Sequence, residues 1–204
     1  MDTLILAALV AILLFTLKSR DQRTRIGLLA HHLGQYQIEK LMETLTQGYL
    51  RALGESDLER RGQIWHLLAT TETQLADQFG HFATSFARVE EANARASTLP
   101  VAIPYAAKLL PSATFDVRQA FVIHAQGISE AVANDMQRSL RDKAFTLSAE
   151  LFLMQHTCHW FCRSKTVASA RLLMQHQTRY EQVLASVGEQ TRRAYSALLR
   201  LPTA

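Results

Sequence analysis

An apolar run at the N-terminus restricts the fold more than any other feature of the chain. Residues 3–17 read TLILAALVAILLFTL, with no charged side chain among them. As an α-helix this run is about 22 Å long at 1.5 Å per residue, somewhat less than the ~30 Å hydrocarbon core of a bilayer. Met1 extends the run, and the long side chain of Lys18 can reach the interface on the other side. The run therefore predicts a transmembrane anchor over residues 1–18.

Two other interpretations of the run are less consistent with the residues around it. A cleaved signal peptide carries positive charge before its apolar segment and a small-residue cleavage site after it. Here Asp2 precedes the run, basic residues follow it, and the residues directly after Phe15 offer no A-x-A sequence. A buried core helix of a soluble protein is the second interpretation, but the run lies at the extreme N-terminus and is followed directly by a basic cluster. A membrane anchor is therefore the favoured interpretation.

The basic cluster after the run predicts its orientation in the membrane. Its members are Lys18, Arg20, Arg23 and Arg25. Positively charged flanks stay on the cytoplasmic side, so we expect the N-terminus outside and residues 18–204 in the cytoplasm, with a bacterial inner membrane as the working assumption. The cluster is expected to lie against anionic headgroups. A reducing cytoplasm also disfavours a disulfide between Cys158 and Cys162.

Composition and periodicity predict that the rest of the chain is all-α. The 204 residues include only 8 Gly and 4 Pro, and Ala, Leu, Gln and Arg outweigh the β-branched residues. No segment after the anchor alternates with a period of two, whereas several repeat with a helical period. We expect a cytoplasmic domain over residues 19–204, an antiparallel bundle of long helices whose first member can continue the transmembrane helix. The predicted helices span about residues 20–53, 56–96, 114–165 and 166–201, and a proline-containing connector spans 97–113.

The second predicted helix carries the clearest heptad pattern. Its apolar residues recur at alternating steps of three and four, as in the seam of a coiled coil, and Ser56 with Glu59 forms a capping-box sequence at its start. Glu72 is the one charged residue in this seam. A buried carboxylate is costly without a partner, so we expect Glu72 to be buried and paired. The alternatives are a solvated edge position and a functional acid. The partners predicted at its level are Arg138, Arg141 and Tyr195.

One segment of the third predicted helix concentrates side chains that can bind metals. Thiolate and imidazole groups bind zinc, copper or haem. Three ligands on one rigid helix point over too wide an arc to reach one ion, and cysteine is a small apolar residue in most cores. We therefore expect these side chains to pack in the core, with no bound metal or cofactor. The candidates are His156, Cys158, His159 and Cys162, joined by His176 at the same level of the next helix.

The sequence lacks the common catalytic motifs. It contains no G-x-x-x-x-G-K-[ST], G-x-G-x-x-G, H-E-x-x-H or G-x-S-x-G. Its net charge of +4 lies largely beside the predicted anchor, so we expect lipid rather than nucleic acid as its partner.

These patterns favour a non-enzymatic, single-pass membrane protein that acts as a scaffold or adaptor at the cytoplasmic face. The expected partners are the lipid bilayer and another protein, or a second copy of the chain, bound through helix faces. The alternative function is a metal- or haem-binding or redox protein that uses residues 156–162 and His176.

Overall fold

The computed structural model describes residues 2–200 and confirms the predicted fold class, a long apolar N-terminal helix followed by a helical bundle. Helices make up 79% of the chain. Two short strands, β1 (Arg95–Ser97) and β2 (Thr114–Asp116), pair antiparallel. In chain order, the α-helices within the described residues are α1 (Asp2–Leu33), α2 (Ile38–Gly54), α3 (Leu58–Phe86), α4 (Ala106–Leu109), α5 (Val117–Ala133), α6 (Leu140–Cys162), α7 (Lys165–His176), α8 (Tyr180–Ser186) and α9 (Glu189–Leu199).

Helix α1 runs without a break from the predicted anchor into the bundle. None of residues 3–17 is buried by the rest of the chain, whereas Leu29 is only 5% exposed. Among residues 2–200 this is the one helix long and apolar enough to cross a membrane. The predicted continuity between the apolar run and the first bundle helix is therefore confirmed.

The predicted single helix over residues 20–53 is wrong, because a turn at residues 34–37 divides it into α1 and α2. Glycine is a poor helix former, and the apolar stripe changes phase at Gly34, so one straight helix could not bury both halves of the stripe. The turn is held by a hydrogen bond from the Tyr36 amide to the Leu33 carbonyl at 2.9 Å. The Gln37 amide also donates to the side-chain oxygen of Gln78 at 2.7 Å. This turn at residues 34–37, here called the elbow, thus fixes α2 against α3.

Helix α3 ends at Phe86, whereas the heptad pattern predicted an end near residue 96. The chain beyond it is bound by other segments. Arg118 donates to the Val89 carbonyl at 3.0 Å, and the backbone of β1 pairs with β2. At the other end, the side chain of Asp57 caps the helix instead of the predicted Ser56, accepting from the Arg60 amide at 3.0 Å. Sheet pairing and these long-range contacts therefore replace the last predicted turns.

The third and fourth predicted helices are also divided. Residues 114–165 form β2, α5 and α6, and the chain turns at Asn134, which adopts a left-handed conformation (φ 54°) and binds the Arg138 backbone through both ends of its amide. The fourth predicted helix is divided into α7, α8 and α9, with a left-handed residue at Gln177 (φ 51°). Asn takes this left-handed cap more readily than other residues apart from glycine, and Gln177 adopts the same conformation here. The last residue of the predicted fourth helix, 201, lies outside the described residues.

Helix α6 is the centre of the bundle, as its all-round apolar pattern predicted. It contacts α1, α2, α5, α7 and α8. Beside it lies a cluster of phenylalanine rings packed at centroid distances of 4.9–6.3 Å, and these rings join α3, α5 and α6. The other faces of α6 contact α7, α8 and the α1–α2 region. The clustered rings are Phe79, Phe82, Phe86, Phe121 and Phe161.

Candidate functional site

A groove of about 1130 Å³ lies between the α1–α2 elbow and the α6–α7 hairpin. It is open to solvent along one side, and its lining is more apolar than polar. The apolar surface comes from both walls and includes Leu29, Leu33, Ile38, Phe152 and Met154. Charged side chains also line it, two acidic and one basic on α2 and two basic on the hairpin. These are Glu39, Lys40, Glu43, Arg163 and Arg171.

The structure separates the five candidate metal ligands. Cys158, His159, Cys162 and His176 line the groove, but His156 does not. Its ring lies on the other side of α6, stacked on Tyr180 at 4.6 Å, because residues two positions apart point about 200° away from each other on a helix. Within residues 2–200, no three His, Cys, Asp or Glu side chains come close enough together to hold a metal ion. The segment therefore contributes to two different surfaces of α6.

The two histidines of the groove are engaged by protein partners. His176 lies at the level predicted for it, where Nε2 is 2.9 Å from the side-chain oxygen of Gln155 and the ring stacks on Phe152 at 3.8 Å. His159 accepts a hydrogen bond from Arg171 at 3.1 Å. Burial lowers the pKa of both rings, and the charge of Arg171 lowers that of His159 further. Both are therefore neutral packing groups of the groove wall at neutral pH.

The two cysteines are free thiols. Cys158 is buried, with its sulfur 3.9 Å from that of Met154. Burial raises the pKa of Cys158 well above its ordinary value and raises the pKa of Cys162 to about 11. A thiol with a raised pKa is a poor nucleophile at neutral pH, because the thiolate is the reactive form. The chemistry of this wall is thus packing rather than thiol catalysis.

Glu72 lies in a second polar site, between α2, α3 and α6. It is 3% exposed, and Lys143 lies 2.5 Å from Oε2 while the Tyr49 hydroxyl donates to Oε1 at 2.6 Å. The predicted partners Arg138, Arg141 and Tyr195 were therefore wrong. The prediction assumed one continuous helix over residues 114–165. The chain instead leaves the helix between Ala133 and Leu140, so Lys143 lies at the level of the Glu72 carboxylate.

A third polar site, which the sequence analysis did not predict, lies between α5, α6 and the C-terminal helices. The Thr157 hydroxyl is 2.8 Å from both His124 Nε2 and the Tyr195 hydroxyl, and it donates to the Leu153 carbonyl at 3.1 Å. Since the threonine uses its one proton on that carbonyl, His124 and Tyr195 act as the donors. Burial lowers the pKa of His124 to about 3, so the ring is neutral.

Two turns earlier on α6, Glu150 is fully buried and accepts from the Gly188 amide at 2.8 Å. Burial raises its pKa to about 7. Gly127 of α5 faces this carboxyl, and an added Cβ there would lie 2.6 Å from Oε2. A glutamate within the apolar segment of α6, opposite a helical glycine, was the available sequence signal for this site.

The basic cluster after the apolar run is divided between two roles. Lys18, Arg20 and Arg23 are exposed. Arg25 instead faces the bundle, where it pairs with Asp21 at 3.0 Å, lies over the Phe161 ring and donates to the Arg95 carbonyl at 3.1 Å. The expectation that Arg25 lies against lipid headgroups is therefore wrong, because its position on the helix directs it into the protein.

Comparison with known proteins gives no relative. No family model, no curated protein and no solved structure matches the chain. The function must therefore be argued from the geometry of these sites alone.

Proposed function

We propose that this chain is a single-pass membrane protein whose helical bundle acts as a non-enzymatic scaffold or adaptor at the cytoplasmic face. The course of α1 is the observation that supports the proposal. One unbroken helix carries an unburied apolar segment and, beyond it, residues that pack in the bundle. Exposed apolar side chains in such a row are unfavourable in water and favourable in lipid. The large ones are Leu4, Ile5, Leu6, Leu9, Val10, Ile12, Leu13, Leu14 and Phe15.

The charges next to the apolar segment support an orientation with the N-terminus outside and the bundle in the cytoplasm. Lys18, Arg20 and Arg23 are exposed on α1 directly after the segment, whereas the first turn of α1 contains only Asp2 as a charged residue. Lys and Arg close to a span favour the cytoplasmic side. A bacterial inner membrane is the membrane we propose.

The groove is the surface by which we propose that the scaffold holds a partner, namely an amphipathic helix of another protein. Its volume is larger than the roughly 300–1,000 Å³ of typical small-molecule pockets. Apolar walls between charged edges match the helix-in-groove mode of recognition. The α2 edge carries Glu39, Lys40 and Glu43 and is acidic by one net charge, whereas the hairpin edge carries Arg163 and Arg171. A partner helix with basic residues on one flank and acidic residues on the other would therefore complement both edges.

The anchor is tested by deleting residues 3–17 and comparing the membrane fractions of the two proteins after washes at high salt and at alkaline pH. The full chain is expected to stay in the membrane pellet, and the truncated chain is expected in the supernatant. If the truncated chain remains in the pellet, α1 is not the anchor.

The orientation is tested by labelling an introduced cysteine in intact cells with a maleimide that cannot cross membranes. Met136→Cys is suitable because Met136 is 76% exposed in the loop before α6, and Cys162→Ala removes the partly exposed native thiol. We expect labelling only after the cells are opened. Labelling in intact cells would place the bundle outside.

The groove is tested with a photo-crosslinking amino acid in native membranes, placed at Met42 inside the groove and, as a control, at Met174, which is 82% exposed on α7. We expect one defined adduct from Met42 whose mapped peptide is an amphipathic helix, and its loss on Leu33→Glu. Adducts of equal yield and composition from both positions would exclude the groove as the docking surface.

A further inference from the structure

The connector between α3 and α5 exposes apolar side chains at one end of the bundle. Residues 99–110, here the apolar loop, read LPVAIPYAAKLL and contain no acidic residue. Val101 is 63% exposed and Leu109 is 65% exposed, and Tyr105 and Leu110 are also exposed. Adjacent exposed apolar residues of this kind mark interaction sites in proteins.

The position of the apolar loop indicates which partner it meets. Val101, Ala102 and Ile103 line one small recess together with Asp21 and Gln22 of α1. Asp21 is four residues beyond the end of the apolar run, which is about 6 Å along the helix axis. The headgroup region on each side of a bilayer is on the order of 5–8 Å thick. The loop therefore lies beside α1 at the depth where that helix leaves the hydrocarbon.

Contacts with the bundle hold the apolar loop at this depth. The backbone and the hydroxyl of Thr166 both donate to the Pro100 carbonyl, at 3.1 and 2.8 Å. The indole of Trp160 donates to the Ser97 carbonyl at 2.8 Å, just before the loop. Arg163 binds the side chain of Gln22 at 2.9 Å and so joins the same end of α6 to α1. The loop is thus a fixed part of the bundle end rather than a free segment.

The charges around the apolar loop suit an anionic lipid surface. Lys108 is exposed within the loop, and Lys18, Arg20 and Arg23 are exposed on α1. Asp21 of α1 is paired with Arg25, and Glu91, whose segment contacts α4, is paired with Arg95. Exposed basic residues next to a bilayer are attracted to anionic headgroups, and apolar residues beside them insert into the interface.

We infer that the apolar loop is a second membrane contact, which inserts Val101 and its apolar neighbours into the interface of the same bilayer that α1 crosses. The inference rests on the proposed anchor, since α1 sets the depth of the loop. With two contacts, the end of the bundle that holds the loop is fixed against the membrane, and α2 and the start of α3 are directed away from it. The lipid interface is the committed partner, and a protein partner is an outcome of the test.

The test places a nitroxide spin label at single cysteines of the full chain, in a Cys158→Ala, Cys162→Ala background, in vesicles of phosphatidylcholine and phosphatidylglycerol. The test position is Val101→Cys. The matched control is Leu58→Cys, because Leu58 is 72% exposed but lies far from the apolar loop. It starts α3, about 42 Å along that helix from its other end at Phe86, where the connector to the loop begins. The third position is Leu9→Cys in the apolar run. Collision rates with oxygen, which concentrates in lipid, and with a water-soluble nickel chelate are measured for each.

A several-fold higher ratio of oxygen to nickel collisions at Val101→Cys than at Leu58→Cys is the expected result. Equal ratios at these two positions, with a lipid-like ratio at Leu9→Cys, would overturn the second contact and leave the anchor intact. Low collision rates with both reagents at Val101→Cys would assign the loop to a protein partner and would also overturn the inference. A water-like ratio at Leu9→Cys would instead refute the anchor itself.

Discussion

Two buried glutamates, Glu72 and Glu150, lie in regions of the bundle that surround the carboxyl group with different partners. Glu72 has a cation and a hydroxyl donor, Lys143 and Tyr49. Glu150 accepts from the Gly188 backbone amide, and it forms no ion pair within residues 2–200. A nearby opposite charge favours the ionised form of a carboxyl, whereas burial alone favours the neutral form.

The difference shows what each site contributes to the fold. The pair at Glu72 joins α2 and α3 to α6 and is costly to break from one side, because the remaining charge would be left unpaired. Glu150, with a pKa of about 7, joins α6 to the turn before α9 and changes its protonation near neutral pH. Removal of one partner at the first site should therefore lower stability, and at the second site stability should depend on pH.

The largest effect is expected for Glu72→Ala. The substitution leaves Lys143 without its partner, and such a loss costs about 3–5 kcal/mol of unfolding free energy. The measurement is urea unfolding of the full chain in a mild detergent, with Glu43→Ala as the control at an exposed helical position. An unfolding midpoint equal to that of the control would show that the pair contributes little. The double variant Glu72→Leu, Lys143→Met should regain most of the loss, because no buried charge then remains.

The second effect is a pH dependence removed by Glu150→Gln. The folded-state pKa is raised to about 7 from an ordinary 4.5, so protonation stabilises the fold by about 3 kcal/mol at low pH. This contribution is complete below the unfolded pKa and is lost as the pH rises through 7. The variant should match the wild type at pH 4 and exceed its stability at pH 8. A difference in unfolding free energy that stays constant between these pH values would contradict the assignment; the buried histidines affect both proteins equally.

The third effect concerns the glycine that makes room for Glu150. Gly127→Ala adds a Cβ that would collide with Glu150 and the Thr191 hydroxyl, and overpacking of this kind costs about 1–3 kcal/mol. Gly62→Ala is the control, because no atom lies within 4 Å of its added Cβ in α3. The control should gain about 0.5–1 kcal/mol from helix propensity. Changes of the same sign in the two urea midpoints would show that the packing at Gly127 is loose.

The smallest effect is expected for Tyr49→Phe. It removes one hydrogen bond to Glu72 but leaves the ion pair with Lys143, so we expect a loss of about 1 kcal/mol. Burial and the charge of Glu72 raise the pKa of Tyr49, so the hydroxyl keeps its proton as a donor at every pH of the measurement. A loss as large as that of Glu72→Ala would mean that the tyrosine, not the lysine, maintains the charge.

The sequence predicted those parts of the fold that depend on local patterns. Hydropathy and charge located α1, and the heptad seam located Glu72 inside the bundle. The helix ends were missed because apolar periodicity continues across them. Asn134 and Gln177 end helices through left-handed conformations that the pattern does not show, and residues 95–97 depend on a partner strand distant in sequence.

The groove and the third polar site could not be predicted for a related reason. One wall of the groove exists only because the chain turns at residues 34–37 and brings α2 opposite α6. Glu150 stands out in the apolar segment of α6, but the sequence does not show that Gly127 faces it or that the Gly188 amide binds its carboxyl. His156 and His176 were placed at the same level of the hairpin, but the level does not give the direction of a side chain around α6, and His156 is directed toward Tyr180.

Because α1 is unbroken, a tilt of its apolar segment is transmitted to the part of the helix that packs in the bundle. Beyond the apolar run it extends from residue 18 to Leu33, which is about 24 Å. Membrane helices tilt by about 20° on average, and the tilt changes with bilayer thickness. Because α1 has no hinge before Gly34, the same rotation passes to whatever is packed on its far half. A tilt of about 20° then displaces the elbow sideways by about 8 Å. With α1 as the anchor that we propose, the groove, which has one wall on that elbow and lies away from the membrane-bound end of the bundle, moves relative to the membrane plane when the lipid composition around the helix changes.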